Sequence, residues 1–481
     1  MKRFCNECLD AAAAAGATYA DVRVTDTLTQ SLSVRSGVVT GVQSGASLGF
    51  GIRVIADGAW GFAASSDLSA DAAERVARQA VAVARASARV AAPPVRLSPL
   101  DPASGTWSGP REIDPFEVST DDKLAVLLAA DEAMRAVRGV SLTVGMMHFE
   151  KSHKTFASSE GAFIEQDWVE STAGMTAYAM ADGEVMSRSY PNSHGGAGFQ
   201  GGWETMLALD LAGNATRIAE QAVELLTAPV CPAATTTLIL DAKQLALQVH
   251  ESIGHPTELD RVLGDEAAFA GTSWVGAGDL GTLRYGSDIV NVTADATIAG
   301  SLGSFGFDDE GVPAQREYLV RDGILTGFLS SRESAAAIGR SSSGAMRADG
   351  WNRIPLVRMT TVSLEPGSAG TLEDLIADTD EGIYMETNDS WSIDDKRLNF
   401  QFACEIAWEI RGGKRTRMLR DPDYTGITPH FWGSCDAICS ESEWHVWGLG
   451  NCGKGEPMQV AHVAHGAAPA RFRNVSVGVG R

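Results

Sequence analysis

Short runs of alternating apolar and polar residues, each closed by a tight-turn dipeptide, constrain the first half of the chain more than any other feature. Side chains with a period of two face opposite sides of a strand, so such runs belong in antiparallel hairpins with one buried face. Residues 19–24 and 30–35 read as strands, Ser36-Gly37 as a turn, and 38–42 as a strand pairing back. Residues 48–56 and 59–64 flank Asp57-Gly58, a dipeptide suited to a two-residue hairpin turn. A helix is expected over 4–15, ended by Gly16, and a long alanine-rich helix runs to about residue 90 from a cap at Ser69-Ala70-Asp71. Residues 92–113 carry Pro93, Pro94, Pro99, Pro102 and Pro110 and read as a linker or wrapping loop. The order then repeats. A helix over 121–137 is followed by strands at 146–149, 154–158, 161–169 and 176–181, with turns at Glu160-Gly161 and Asp182-Gly183. A glycine-rich stretch, 194–202, leads to a helix over 203–227.

The texture changes at Pro229-Val230-Cys231-Pro232. Beyond it come a β-branched strand at 235–240, a helix over 242–251 capped by Asp241, and many short strands among glycines: 288–292, 316–320, 324–329, 357–364, 382–386, 399–410 and 470–479. The expected fold class is α+β. An N-terminal α+β domain, 1–230, holds antiparallel hairpins and long helices; a strand-rich, barrel-like or sheet-like domain, 231–481, carries the chemistry.

That chemistry centres on His250-Glu251-Ser252-Ile253-Gly254-His255. Imidazoles ligate divalent transition metals, and a neighbouring carboxylate can take a proton from an activated water. The familiar H-E-x-x-H pattern separates its histidines by four residues, which share a helical face. Here the separation is five, and at about 100° per residue a regular helix turns the second ring about 140° away. Either a π-bulge takes up the extra residue or the helix ends between the histidines; Gly254 permits both, and Pro256 stops an undisturbed continuation.

Lysine and arginine total 39 against 61 acidic residues, a net charge of −22 that repels phosphate backbones and speaks against direct nucleic-acid binding. No apolar run reaches the ~18 residues of a membrane span. Glu7 and Asp10 interrupt what would be the apolar core of a leader. Seven unevenly spaced cysteines suit a reducing compartment, and a cytoplasmic location is expected.

The motif and its flank, His250 through Pro256-Thr257-Glu258-Leu259-Asp260, resemble the signature of the TldD/PmbA family of zinc metalloproteases. Phe307-Asp308-Asp309-Glu310-Gly311-Val312-Pro313, Asp322-Gly323-Ile324, Arg358-Met359-Thr360 and Asn451-Cys452-Gly453-Lys454-Gly455 follow in the family's order. The family has a TldD-like subunit that keeps H-E-x-x-x-H and a PmbA-like (TldE) subunit that lacks it; this chain resembles the former. The resemblance implies a zinc held by His250, His255 and one C-terminal cysteine, for which Cys452 matches the family's C-G-K motif. It also implies a heterodimer with a subunit lacking the motif, or self-association, and cleavage of unfolded peptides, as in maturation of modified peptides. Glu251 is then the general base. Glu258 and Asp260 are candidates to hydrogen-bond the second nitrogens of the ligand histidines, or to cap the next turn. Cys435 and Cys439, four apart with His430 and His445 nearby, form a rival site if they lie on a helix. His462 and His465 either line the chamber or are structural. Asp308, Asp309 and Glu310 read as an acidic turn, not a calcium loop. The competing functions are a non-hydrolytic scaffold for peptide or partner, and a zinc hydrolase of non-peptide amides or esters.

Overall fold

The alternation does produce hairpins, and they are longer than the apolar runs alone. The computed structural model describes residues 1–90, 93–269 and 271–479. Tyr19–Arg35 is a single strand that pairs with all of Val38–Ala56, in register from Tyr19–Ile55 to Arg35–Val38 with one irregularity at Ser33/Val34. Likewise Val140–Ser158 and Phe163–Ala181 run unbroken through the gaps expected near 150 and 172. The intervening polar residues keep the ladder because their strands border a polar cavity, lined in part by Thr25, Thr27, Glu150, Ser152 and Lys154.

Among the described residues, fourteen strands form one sheet that continues past residue 230. Its N-terminal strands meet the C-terminal ones where Ala197–Gln200 touches His445–Lys454 at the single pairing of Gly198 with Gly448. A Cβ on Gly448 would lie 2.0 Å from the Gly198 carbonyl oxygen, so only glycine allows this approach. Helices cover one face. Lys2–Ala15 and Ala70–Ser87 bury Cys5, Cys8, Ala77 and Ala80 over Val22, Val24, Phe50 and Ile52. Thr120–Arg135 and Leu211–Leu225 bury Leu127, Met134 and Ile218 over Leu32, Val34, Met147 and Phe149. The opposite face, carrying Asp21, Arg23 and Arg53, turns to the C-terminal half. There the acidic turn is a junction: Asp309 pairs with Lys154 at 2.7 Å and Glu310 with Arg53 at 3.2 Å.

The C-terminal half contains a closed five-stranded barrel. Glu381–Ile393 pairs in parallel with Ala234–Leu240 and antiparallel with Asn399–Arg411. Asp423–Ile427 and Ala470–Val477 complete the circuit. Phe400, Phe402, Tyr424, Phe431, Trp432 and Phe472 pack against one another at its core. The chain leaves the barrel strand Ala234–Leu240 through Asp241, whose carboxylate accepts from the Gln244 amide at 2.9 Å, into helix Ala242–Val249. This helix lies between the barrel and the strand Gln459–Ala467 of the large sheet, so the motif forms where the two β-systems meet.

Several expected elements differ. The helix expected over 203–227 is two, Trp203–Ala208 and Leu211–Leu225, because Asp210 takes a left-handed conformation (φ 46°) and caps the second. The strand expected over 357–364 splits into Leu356–Val357 and Thr361–Leu364, that over 324–329 is only Ile324–Leu325, and that over 288–292 begins at Val292. The expected loop starts at residue 92, outside the described residues. Its later part wraps, with Val95 bonded to Gly58 and Ser98 to Arg332, before Ser104–Ser108 adds a parallel strand to Phe163–Ala181.

Candidate metal centre

Of the two anticipated remedies for the five-residue gap, the π-helical one occurs, and the helical path does not end between the histidines. The helix ends as regular α at Val249, a π-helical turn covers His250–Gly254, and a tighter 3-10 turn follows at His255–Thr257. The wider turn absorbs the extra residue, and the two imidazoles come to 4.7 Å between centroids, nearly perpendicular. Side chains satisfy the polar groups that the irregular turn leaves over. Thr257 Oγ1 donates to the carbonyls of Ile253 (2.8 Å) and Gly254 (3.0 Å), and Tyr285 donates to that of Ser252. Trp432 Nε1 donates to Ser252 Oγ at 2.9 Å. Gly254 has ordinary helical angles; its requirement is space, since a Cβ there would sit 2.3 Å from Met359 Sδ.

Donor atoms of His250, His255 and Cys452, all buried, lie within 4.8 Å of one another. Cys452 arrives from the large sheet. Between Leu449 and Cys452 the pairing of His445–Lys454 with Gln459–Ala467 takes in one extra residue, a bulge of the kind that re-aims a side chain. The buried Arg358 guanidinium donates to the Cys452 and Gln459 carbonyls and pins this bulge.

Hydrogen bonds fix the tautomers. The Val362 carbonyl can only accept, so His465 Nδ1, 2.8 Å away, carries the proton and donates. Burial pushes His465 well below the usual imidazole range, so its Nε2 is an acceptor. His250 Nδ1, 2.8 Å from that Nε2, therefore donates, and His250 Nε2 keeps its lone pair. His255 Nδ1 donates to Glu258 Oε2 at 2.9 Å, which frees His255 Nε2, 3.9 Å from Cys452 Sγ. Burial also lowers His250 and His255. At Cys452 burial raises the thiol, but the contact with His255 and the Arg358 charge outweigh it and hold the thiol below its ordinary value. Two free imidazole nitrogens and an acidified thiol are a donor set that suits zinc.

The remaining expected residues take distinct places. Glu251 Oε2 accepts from Arg397 Nη1 at 2.7 Å. Glu258 meets His255, whereas Asp260 binds Lys454, whose fully buried ammonium spans Asp260 (2.8 Å), the Val357 carbonyl (2.7 Å) and Glu258 (3.3 Å). Cys435 lies on the strand Cys435–Ile438, not on a helix. It and Cys439 are buried thiols pushed up by burial, Cys439 to about 12. Among the described residues the only group of three or more metal-type donors is His250, His255 and Cys452. His462 turns away to pair with Glu170. Sequence reasoning missed Arg397 and the roles of Lys454 and His465. Lys454 had a local signal, two residues after Cys452; Arg397 and His465 come from distant segments with none.

Three family models cover most of the chain: PmbA/TldA metallopeptidase domain 1 over residues 20–84, the central domain over 113–228 and the C-terminal domain over 233–479. A metalloprotease of Methanocaldococcus jannaschii is 29% identical over 91% of this chain and 92% of its own. One of Synechocystis is 30% identical over 96% and 95%. The crystal structure of TldE from Thermococcus kodakarensis superposes with a TM-score of 0.76 over 98% of this chain and 99% of that one, at 16% identity, a likeness of fold. With the motif helix, the bulged cysteine strand and the barrel in place, the chain belongs to the PmbA/TldD family of metallopeptidases.

Proposed function

We propose that this chain is a TldD-like catalytic subunit, a zinc peptidase that cuts unfolded peptides. The observation that carries the reading is the convergence of His250 Nε2, His255 Nε2 and Cys452 Sγ with both Nδ1 protons already committed to His465 and Glu258. When bound, zinc supplies a Lewis acid for the peptide carbonyl and lowers the pKa of water. Glu251, oriented through Oε2 by Arg397, takes a proton from the attacking water and hands it to the leaving amine. Glu258 and His465 hold the ligand rings in the productive tautomer. The outer edge of His445–Lys454, paired among the described residues only at Gly448, offers backbone groups beside Cys452 to an extended peptide. Recognition through the backbone selects for unfolded chains.

The non-catalytic partner is a PmbA-like subunit, a reading supported by the TldE fold likeness, and the complex works in the cytoplasm. No helix among the described residues is long and apolar enough to cross a membrane. The deciding experiment purifies the chain with and without such a subunit and measures metal content and digestion of an unfolded polypeptide. Glu251→Gln is expected to keep zinc and to lose about 10²–10⁴-fold of the cleavage rate; full turnover by a clean preparation would sink the assignment. Cys452→Ala is expected to lose most of the zinc, and full occupancy would place the third ligand elsewhere.

A further inference from the structure

A cavity of about 210 Å³ lies beside the metal centre and shares His465 with it. The helix that carries the motif supplies one wall, Ala246 and Leu247. The bulged strand contributes Trp447 and Leu449, and Val140–Ser158 contributes Met146. The backbone of the strand segment 448–451, next to Cys452 and largely unpaired on its outer edge, forms part of the lining.

The charges around this cavity restrict what it can hold. No aspartate or glutamate lines it among the described residues, so a lysine or arginine side chain would find no counter-ion there. Its two strongest cations are already engaged: Lys243 with Glu386 at 3.1 Å, and His462 with Glu170. His465 has both ring nitrogens engaged, by the Val362 carbonyl and by His250 Nδ1, and His148 Nδ1 bonds the Ser31 hydroxyl at 2.8 Å. A carboxylate side chain would therefore leave water for a site whose positive charges are spent. Size points the same way. About 150 Å³ is enough for a benzene ring, so this volume admits a large aromatic or branched aliphatic side chain, with the uncharged polar Thr172, Asn192, Ser193 and Asn388 also in the lining.

We propose that this cavity is a specificity subsite that takes one bulky apolar side chain of the peptide substrate. The proposal rests on the peptidase reading above. Backbone pairing along His445–Lys454 would then be blind to sequence except at the one residue whose side chain enters between Leu247 and Trp447.

The test uses a short unstructured peptide in which Phe, Leu, Ala, Glu and Lys are placed in turn at successive positions. Binding is read by fluorescence anisotropy on zinc-loaded Glu251→Gln, and cleavage on the wild-type chain, each with and without a PmbA-like subunit. At one position Phe and Leu are expected to bind about tenfold tighter than Ala, Glu or Lys, and to raise kcat/KM by a similar factor. Met146 is 38% exposed and lines the cavity; Met146→Trp is expected to fill the cavity and bring the Phe-to-Ala ratio close to one. Equal binding of all five side chains at every position would overturn the subsite, even if the wild type cleaves them all. Selective binding of Phe with no cleavage by the wild type would leave the subsite standing and remove the peptidase reading.

Discussion

At the scale of single residues, the centre is defined less by its donors than by what holds them. Glu258 is fully buried and does two jobs, accepting the His255 Nδ1 proton and sharing Lys454 with Asp260. Glu258→Gln preserves the shape but weakens the pull on that proton, making His255 a poorer ligand. Its metal affinity is expected to fall about 10–100-fold, measured by competition with a chelator; unchanged affinity would show that Glu258 is only structural. Lys454→Met is expected to act differently. It strands two buried carboxylates, and such uncompensated charge costs about 3–5 kcal/mol. The loss should therefore appear in thermal stability of the metal-free chain. Stability equal to wild type would mean that the carboxylates are protonated or solvated without it.

At the scale of elements, the π-helical turn shows what a sequence can and cannot reveal. The five-residue spacing together with Gly254 and Pro256 was enough to demand an irregular turn. It did not reveal that Gly254 is there to admit Met359, a residue far along the chain. Gly254→Ala is expected to push against the fully buried Met359, costing about 1–3 kcal/mol and loosening the metal site. Gly254→Ala with Met359→Ala should recover metal affinity relative to the single variant; no recovery would place the strain in the turn backbone. Strands followed the same rule. The strand at 235–240 was legible from its β-branched run, although Leu238, Ile239 and Leu240 are all buried, and that at 399–410 from an alternation that its first residues keep. The stretches near 25–29 and 43–47 were not, since they are held by backbone ladders beside a polar cavity and show no apolar period. The bulged strand His445–Lys454 was illegible for a related reason: six of its ten residues are glycine, asparagine, cysteine or lysine, and its register is set by Gln459–Ala467. The sequence match at Cys452-Gly453-Lys454, not periodicity, singled out the cysteine.

At the scale of the whole molecule, the site depends on two halves whose strands pair at one glycine pair, and which are also joined by backbone bonds such as Ser98 to Arg332 and Gln200 to Gly300, by apolar contact of Met186 with Ile406, and by buried ions. Arg188 meets Glu386 at 2.9 Å and Glu405 at 2.7 Å, Arg53 meets Glu310, and His462 meets Glu170. The last pair joins the strand that opposes the Cys452 bulge to the N-terminal Phe163–Ala181. Burial alone would lower His462, but Glu170 and, farther off, Glu150 outweigh both burial and the Arg347 charge, so its pKa is raised to about 9. A free histidine titrates near 6.5. Because the folded value lies above the unfolded one, the pair's stabilisation is fully present below about pH 6.5 and is lost as pH rises through about 9. The melting temperature of the wild type should therefore decline between pH 7 and 10 by more than that of His462→Gln, which lacks the titrating proton. The variant is expected to start lower at pH 6.5 and to converge on the wild type at pH 10. Parallel pH profiles of the two proteins would mean that His462 stays neutral against Glu170. The two halves would then be held at this point by shape and by the neighbouring arginine pairs, without a charge contributed by the histidine.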